Sequence, residues 1–225
     1  MFMGMGMPIP DLSNLPGVSR PGRPGDSGAT VDLIDNVYSF EFDGVGSYFN
    51  AGTVLNDTFA SDSFSVSTWI YSSGDGSFDS FFNVGTQIQF YVFNTFVRFY
   101  VAPANTSGIW PLISGAAITL NDWHHVVYTR SGNENVMYID GAISASVTST
   151  GSIPANSGVL SIGSYNSGAD YFWKGNIDEV AVFPRALELE EVKLIYDSTK
   201  NNSGKTADLN TLSTGAPTAW YRMGD

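Results

Sequence analysis

The chain has 225 residues and no cysteine, and its 22 acidic against 10 basic side chains give a formal net charge of -12. The missing thiols exclude a disulfide scaffold or a thiolate metal site, and the surplus of acid argues against DNA or RNA, whose phosphates need clustered Lys and Arg. With 43% hydrophobic residues, only 14% charged residues and 24 glycines, the composition is that of a folded all-β domain coated with Ser, Thr and Asn.

Residues 1–36 predict an extended arm, because Pro8, Pro10, Pro16, Pro21 and Pro24 alternate with Gly17, Gly22, Gly25 and Gly28. A disordered tail is one reading. The other is a docking arm, since Met1, Met3, Met5, Met7, Ile9, Leu12 and Leu15 are unusually apolar for a solvated linker. No cation precedes Arg20, so no secretion signal is expected, and no apolar run approaches the ~18 residues of a membrane span.

Short alternating runs begin at Tyr38. Phe64, Val66, Thr68 and Ile70 fall on one strand face, with Ser65, Ser67, Trp69 and Tyr71 on the other. Strands follow at Ser77–Val84, Gln87–Phe93 and Thr95–Val101, separated by turn formers such as Asn94-Thr95, which suggests a meander of hairpins. Further strands are predicted at Trp123–Arg130, Val136–Asp140, Ile143–Thr148, Val159–Gly163 and Gly175–Val182. The spacing of Leu189, Val192 and Ile195 predicts one short amphipathic helix over Leu187–Tyr196, with Pro184 ahead of it. About a dozen strands with short turns imply a two-sheet antiparallel sandwich.

Three stretches carry a family likeness. They are Ser39-Phe40-Glu41-Phe42-Asp43-Gly44, then Trp123-His124-His125-Val126 with Tyr138-Ile139-Asp140-Gly141, and Gly175-Asn176-Ile177-Asp178-Glu179-Val180 running on to Phe183-Pro184-Arg185. In this order, over about residues 38–197, they resemble the laminin-G-like, concanavalin-A-like jelly rolls related to pentraxins. The resemblance implies two antiparallel sheets face to face and leaves function open, because such domains serve as glycan binders, interaction modules and spacers. It also implies an acidic ion site in some members, which makes Asp43 and Asp178 candidate calcium ligands. The pattern departs at Gly46-Ser47, where relatives often carry acids. Asp178 could equally cap a turn or pair with Arg185.

Other chemistry finds less support. His124 and His125 are neighbours on a strand and so point to opposite faces, which favours structural roles over a shared ion. Asp140-Gly141 reads as a hairpin turn. Glycoside hydrolysis needs two facing carboxylates, yet Glu41 and Asp43 are followed on their strand face by Val45, and Glu188, Glu190 and Glu191 sit on the surface helix. A non-enzymatic role is expected. Tyr71, Tyr91, Tyr100, Trp110, Tyr165, Tyr171 and Trp173 lie near loops and strand ends, where rings could stack on sugars or bury against a protein. The Asn-x-Ser/Thr sequons at Asn56, Asn105 and Asn201 are what chance gives in such a chain.

The end, Ala219-Trp220-Tyr221-Arg222-Met223-Gly224-Asp225, resembles the family's opening strand, which is missing before Tyr38. It could complete this domain's own sheet, begin a second domain or exchange with another copy. The expected organisation is an arm over 1–36, a jelly roll over 37–200, and a linker with a C-terminal strand over 201–225. That layout resembles bacteriophage virion proteins. The expectation is a virion structural protein, a capsid decoration or tail fibre component, contacting other virion proteins and forming a homo-oligomer, without nucleic acid or membrane insertion. The alternative is a secreted or cell-surface calcium-dependent glycan-binding adhesin.

Overall fold

The computed structural model describes residues 28–74, 77–101, 112–149, 153 and 158–223. The expected docking residues from Met1 to Leu15, along with Trp110 and Asn105, lie outside them. In chain order the strands are β1 (Asp32–Asp35), β2 (Phe40–Asp43), β3 (Phe49–Gly52), β4 (Ser63–Ser72), β5 (Asp79–Val84), β6 (Ile88–Phe93), β7 (Phe96–Val101) and β8 (Leu112–Ala117). They continue as β9 (Trp123–Ser131), β10 (Glu134–Ile139), β11 (Ala142–Thr148), β12 (Leu160–Ile162), β13 (Lys174–Phe183), β14 (Lys205–Asp208) and β15 (Ala219–Tyr221). A one-turn helix, α1 (Asn56–Phe59), follows β3, and α2 (Leu189–Lys200) follows β13.

The predicted antiparallel sandwich is the fold. One sheet runs β11-β10-β9-β4-β13, and the far edge of β13 is shared by β2 and β15; the other runs β3-β12-β5-β6-β7-β8. The period-two pattern of β4 explains the packing. Phe64, Val66 and Ile70 point into the core between the sheets, where Phe90 meets Phe99 at 4.3 Å and Tyr128 at 5.2 Å between ring centroids. Each such ring contributes roughly 1.5–3 kcal/mol by leaving water, which makes this core the main source of stability. A buried polar network lies beside this core: the Tyr128 hydroxyl donates to Asn135 Oδ1 at 2.6 Å, and the fully buried Arg130 donates to Asn135 and Ser149.

Turn chemistry sets the register. Asp140 and Gly141, with φ of 52° and 75°, join Ile139 to Ala142 in a two-residue hairpin of the primed type, as the sequence predicts. Gly141 has a second reason to be glycine, because a Cβ there would press on the Tyr196 ring of α2. Asn94 and Thr95, both at positive φ, do the same between Phe93 and Phe96.

The outward side of β4 is covered as well. Ser67 and Trp69 face α2, and the Trp69 ring stacks on His125 at 5.1 Å and on Tyr196 at 5.8 Å. Val192 and Ile195 of α2 join Val127, Ala181, Phe183 and Leu187 in a second apolar cluster. The helix starts two residues later than predicted because Glu188 caps it: Glu191 reaches back to the Glu188 amide at 2.8 Å in a capping box. Arg185 then pairs with Glu191 at 2.8 Å, not with Asp178.

The ends of the described chain meet on this side. Residues 32–35 pair with 205–208, so the boundaries expected at 36 and 200 stand next to a small sheet whose strands come from the predicted arm and the predicted linker. β15 pairs in its own chain with Val180–Val182, while β2 takes Lys174–Ile177. Between the two, β13 bulges at Asp178–Glu179, and Glu179 adopts φ of 54°. There its carboxyl accepts from Trp220 Nε1 at 2.7 Å and from Arg222, whose guanidinium also donates to the Asp35 carbonyl.

Candidate functional site

The six-stranded sheet offers a different outer face. Along β6, Ile88, Phe90 and Val92 enter the core, so Gln89, Tyr91 and Phe93 point outward; along β7, Val97, Phe99 and Val101 enter it, so Phe96, Arg98 and Tyr100 point outward. Register aligns these into rows across the sheet. Ser80, Tyr91, Arg98 and Ser114 form one, and Asn83, Gln89 and Tyr100 form the next. Phe93 and Phe96 close the end nearest the hairpin.

The segment after β12 borders this face. Asn166, Ser167 and Tyr171 all hold positive φ, a conformation costing roughly 1–3 kcal/mol for each bulky residue and kept only where anchors enforce it. The anchors are side chains of the sheet: Asn83 Oδ1 accepts the Asn166 N–H at 2.8 Å, and Ser161 Oγ accepts that of Ser167 at 3.2 Å. The result brings Tyr165 to 5.5 Å from Tyr171, and Tyr171 to 5.3 Å from Phe78. Phe78 in turn contacts Tyr91 at 5.3 Å and Phe93 at 4.4 Å. Burial, with Tyr165 close by, pushes the Tyr100 hydroxyl up to about 12, so it is a neutral donor and acceptor at physiological pH.

This face also leaves polar atoms without partners. Among the described residues, Ser80 Oγ, Gln89 Nε2 and Arg98 Nε are buried from water and make no hydrogen bond. The side chains of Gln89 and Arg98 remain half-buried at this face, whereas Ser80 is fully buried beneath it.

The expected metal ligands do not converge. Asp43 closes its own turn, where Oδ1 accepts from the amides of Val45, Gly46 and Ser47 at 2.9–3.0 Å and from Ser47 Oγ at 2.8 Å. Those amides, Gly46 first, hold its carboxyl far below the ordinary carboxylate range. Asp178 lies at the β13 bulge, accepting from Asn36 Nδ2 at 3.0 Å and from the Glu179 amide at 2.8 Å. Asp43 pairs with Lys174, so Asp178 stands four residues farther along β13, about 13 Å at 3.3 Å per residue. One calcium ion with bonds of about 2.3–2.6 Å cannot use both, and the two aspartates do not fit a shared site. Among the described residues no three His, Asp or Glu side chains group to hold a metal ion.

Two clefts carry these aspartates. One of about 410 Å³ lies beside the end of α2 and is lined by Tyr38, Trp69, Asp122, Trp123, Asp178 and Lys200 among others. Its indoles are engaged, Trp69 with His125 and Tyr196 and Trp123 with Tyr71 at 5.7 Å. A smaller one, about 210 Å³, holds Asp43 across from Asp79 and Lys174. The histidines diverge as expected. His124 Nδ1 meets Asp140 at 2.7 Å, raising its pKa, whereas His125 bonds Ser67 at 2.8 Å and burial lowers it to about 4.

Of the aromatic residues singled out by sequence, Tyr91, Tyr100, Tyr165 and Tyr171 come together on the six-stranded sheet, Trp173 is fully buried, and Tyr71 packs on Trp123. Sequence reasoning missed Gln89, Phe93 and Arg98. The signal was present, since strict alternation in β6 and β7 joined by the Asn94-Thr95 turn puts all three on the outer face.

Solved structures share this fold at low identity. A heptameric pentraxin from Limulus polyphemus aligns with a TM-score of 0.56 and 17% identity, covering 85% of this chain and 91% of its own. The CBM40 module of a Ruminococcus gnavus sialidase, bound to α2,3-sialyllactose, aligns at 0.59 and 14%, covering 73% of this chain and 97% of its own. A NanB sialidase from Streptococcus pneumoniae aligns at 0.58 and 19%, where 72% of this chain matches 28% of the enzyme. No curated protein matches in sequence. The laminin-G-like model for the concanavalin A-like lectin/glucanases superfamily matches residues 43–193, well over half of the chain, and the protein belongs to that family.

Proposed function

We propose that this protein is a non-catalytic glycan-binding module whose contact surface is the outer face of the six-stranded sheet. The observation that carries this reading is the mixture on that face: the partly exposed rings of Phe93, Phe96, Tyr100 and Tyr171 beside the half-buried side chains of Gln89 and Arg98. A sugar has apolar C–H patches that stack on rings and hydroxyls that both donate and accept, so it complements such a surface better than a purely apolar partner does. The sialyllactose bound by the CBM40 module of the same fold is in keeping with this. The non-catalytic part rests on the adjacent acids Asp178 and Glu179, each held by hydrogen bonds within the fold.

A glycan array with the intact protein tests the reading. Binding to a restricted set of glycans, weakened about tenfold or more by Tyr100→Ala with an unchanged melting temperature, is the expected result. An array without hits, or hits indifferent to Tyr100→Ala and Tyr171→Ala, would reject it. Carriage on a virus particle is a separate proposal, drawn from the layout of arm, domain and tail, and is tested by looking for the chain in purified particles.

A further inference from the structure

Arg98 is the odd cation of this fold. The other described arginines have acidic partners: Arg130 with Asp62 at 3.7 Å, Arg185 with Glu191 at 2.8 Å and Arg222 with Glu179 at 3.5 Å. The lysines without ion pairs, Lys174 and Lys200, are exposed and solvated. Arg98 is half-buried, has no ion pair among the described residues, and its Nε makes no hydrogen bond. Its guanidinium lies 4.7 Å above the Phe93 ring, and on the sheet it sits between Tyr91 and Ser114. In a chain with 22 acidic residues, a carboxylate partner would have been easy to supply.

A cation drawn partly out of water without a counter-ion is destabilising, and the stack on one phenyl ring offsets only part of that cost. The position makes sense when the counter-ion arrives with the ligand. We infer that the glycan face is built for sugars bearing a carboxylate, and that Arg98 receives that group while Tyr100 and Gln89 hold the ring and its hydroxyls. This rests on the glycan reading above and narrows it. The guanidinium is planar, with a fork of donors that matches the two oxygens of a carboxylate, whereas a neutral sugar would leave the charge uncompensated. At long range a protein of charge -12 repels an anion, so the attraction must come from contact at this one position.

The test uses the intact protein, with calorimetry or surface binding to three sets of oligosaccharides: those ending in glucuronic, galacturonic or sialic acid, the methyl esters of the same compounds, and their neutral counterparts. Acidic glycans should bind at least about tenfold more tightly than their esters. Arg98→Gln should abolish that preference, and Arg98→Lys, which keeps the charge and loses the fork, should restore only part of it. Melting temperatures of both variants should stay near that of the parent, since among the described residues the Phe93 stack is what Arg98 would lose and the cost of its unpaired charge goes with it. Equal binding of acid and ester, or a preference that survives Arg98→Gln, would overturn the inference and leave the glycan reading standing. Failure of all three sets would remove both.

Discussion

The two sheets share one core but treat their outer faces in opposite ways. On the β4 side, α2 and the segments around it bury the face, and several of its polar groups find partners inside the protein, Ser67 with His125, Ser65 with the Leu187 amide and Arg185 with Glu191, while His125 Nδ1 and Asn36 Oδ1 do not. On the β6–β7 side no described helix or strand lies over the face, and Gln89, Arg98 and Ser80 keep unpaired atoms. Both faces are rich in rings, so aromatic content alone does not distinguish a structural surface from a binding one. Cover does: α2 and the second apolar cluster lie over one face, whereas on the other Phe93, Phe96, Arg98 and Tyr100 keep part of their surface open to water.

Substitutions should separate the two. The largest effect belongs to the covered face. Arg185→Met strands the buried Glu191 carboxylate, which burial pushes up and Arg185, the Glu188 amide and Thr214 together bring below its ordinary value; a loss of about 3 kcal/mol by denaturant unfolding is expected. A loss under about 0.5 kcal/mol would mean that this face is not held together by its internal pairs.

The pH dependence is the intermediate case, and both groups involved lie on the covered side. Burial, reinforced by Asp178, raises Glu179 from 4.5 to about 8, so its protonated form stabilises the fold and that contribution is lost as pH climbs from 4.5 through 8. Burial lowers His125 from 6.5 to about 4, so its neutral form stabilises the fold and that contribution is lost as pH falls from 6.5 through 4. The two oppose each other between 4.5 and 6.5; above 6.5 the loss from Glu179 is joined by that from His124, whose Asp140 partner raises its pKa, and both lower the melting temperature. Glu179→Gln, which keeps an acceptor for Trp220, should flatten that alkaline decline; a decline of unchanged slope in calorimetry would place its origin elsewhere.

The smallest effect belongs to the open face. Phe96 is 41% exposed, and Phe96→Ser should change stability by no more than about 0.5 kcal/mol. If it costs as much as Arg185→Met, the contrast between covered and open face fails.

The central strands were legible because each carries a period-two pattern between turn formers, and Asp140-Gly141 even announces its turn type. The small sheet was not legible. Asp32-Leu33-Ile34-Asp35 and Lys205-Thr206-Ala207-Asp208 are four-residue strands with little alternation, and their partnership spans most of the chain. The site was half legible. Tyrosines draw notice wherever they stand, whereas Arg98 reads as an ordinary surface cation until the β6–β7 register sets it among rings, with no ion pair among the described residues. Asp43 and Asp178 were named by family likeness alone, and it is strand register that places them four residues apart along β13.

The shared edge of β13 also bears on how the protein is made. Val180–Val182 find their outer partner only in Ala219–Tyr221, about 40 residues later, which at 5–20 residues per second is a wait of roughly 2–8 s during synthesis. Through that interval half of a long apolar strand presents unpaired backbone to its surroundings. The bulge at Asp178–Glu179 falls at the upstream margin of the open half, where its extra twist turns the strand away from flat edge-to-edge pairing. The kink that anchors the closing strand is thus also the point where this edge departs from the flat geometry that edge-to-edge pairing needs.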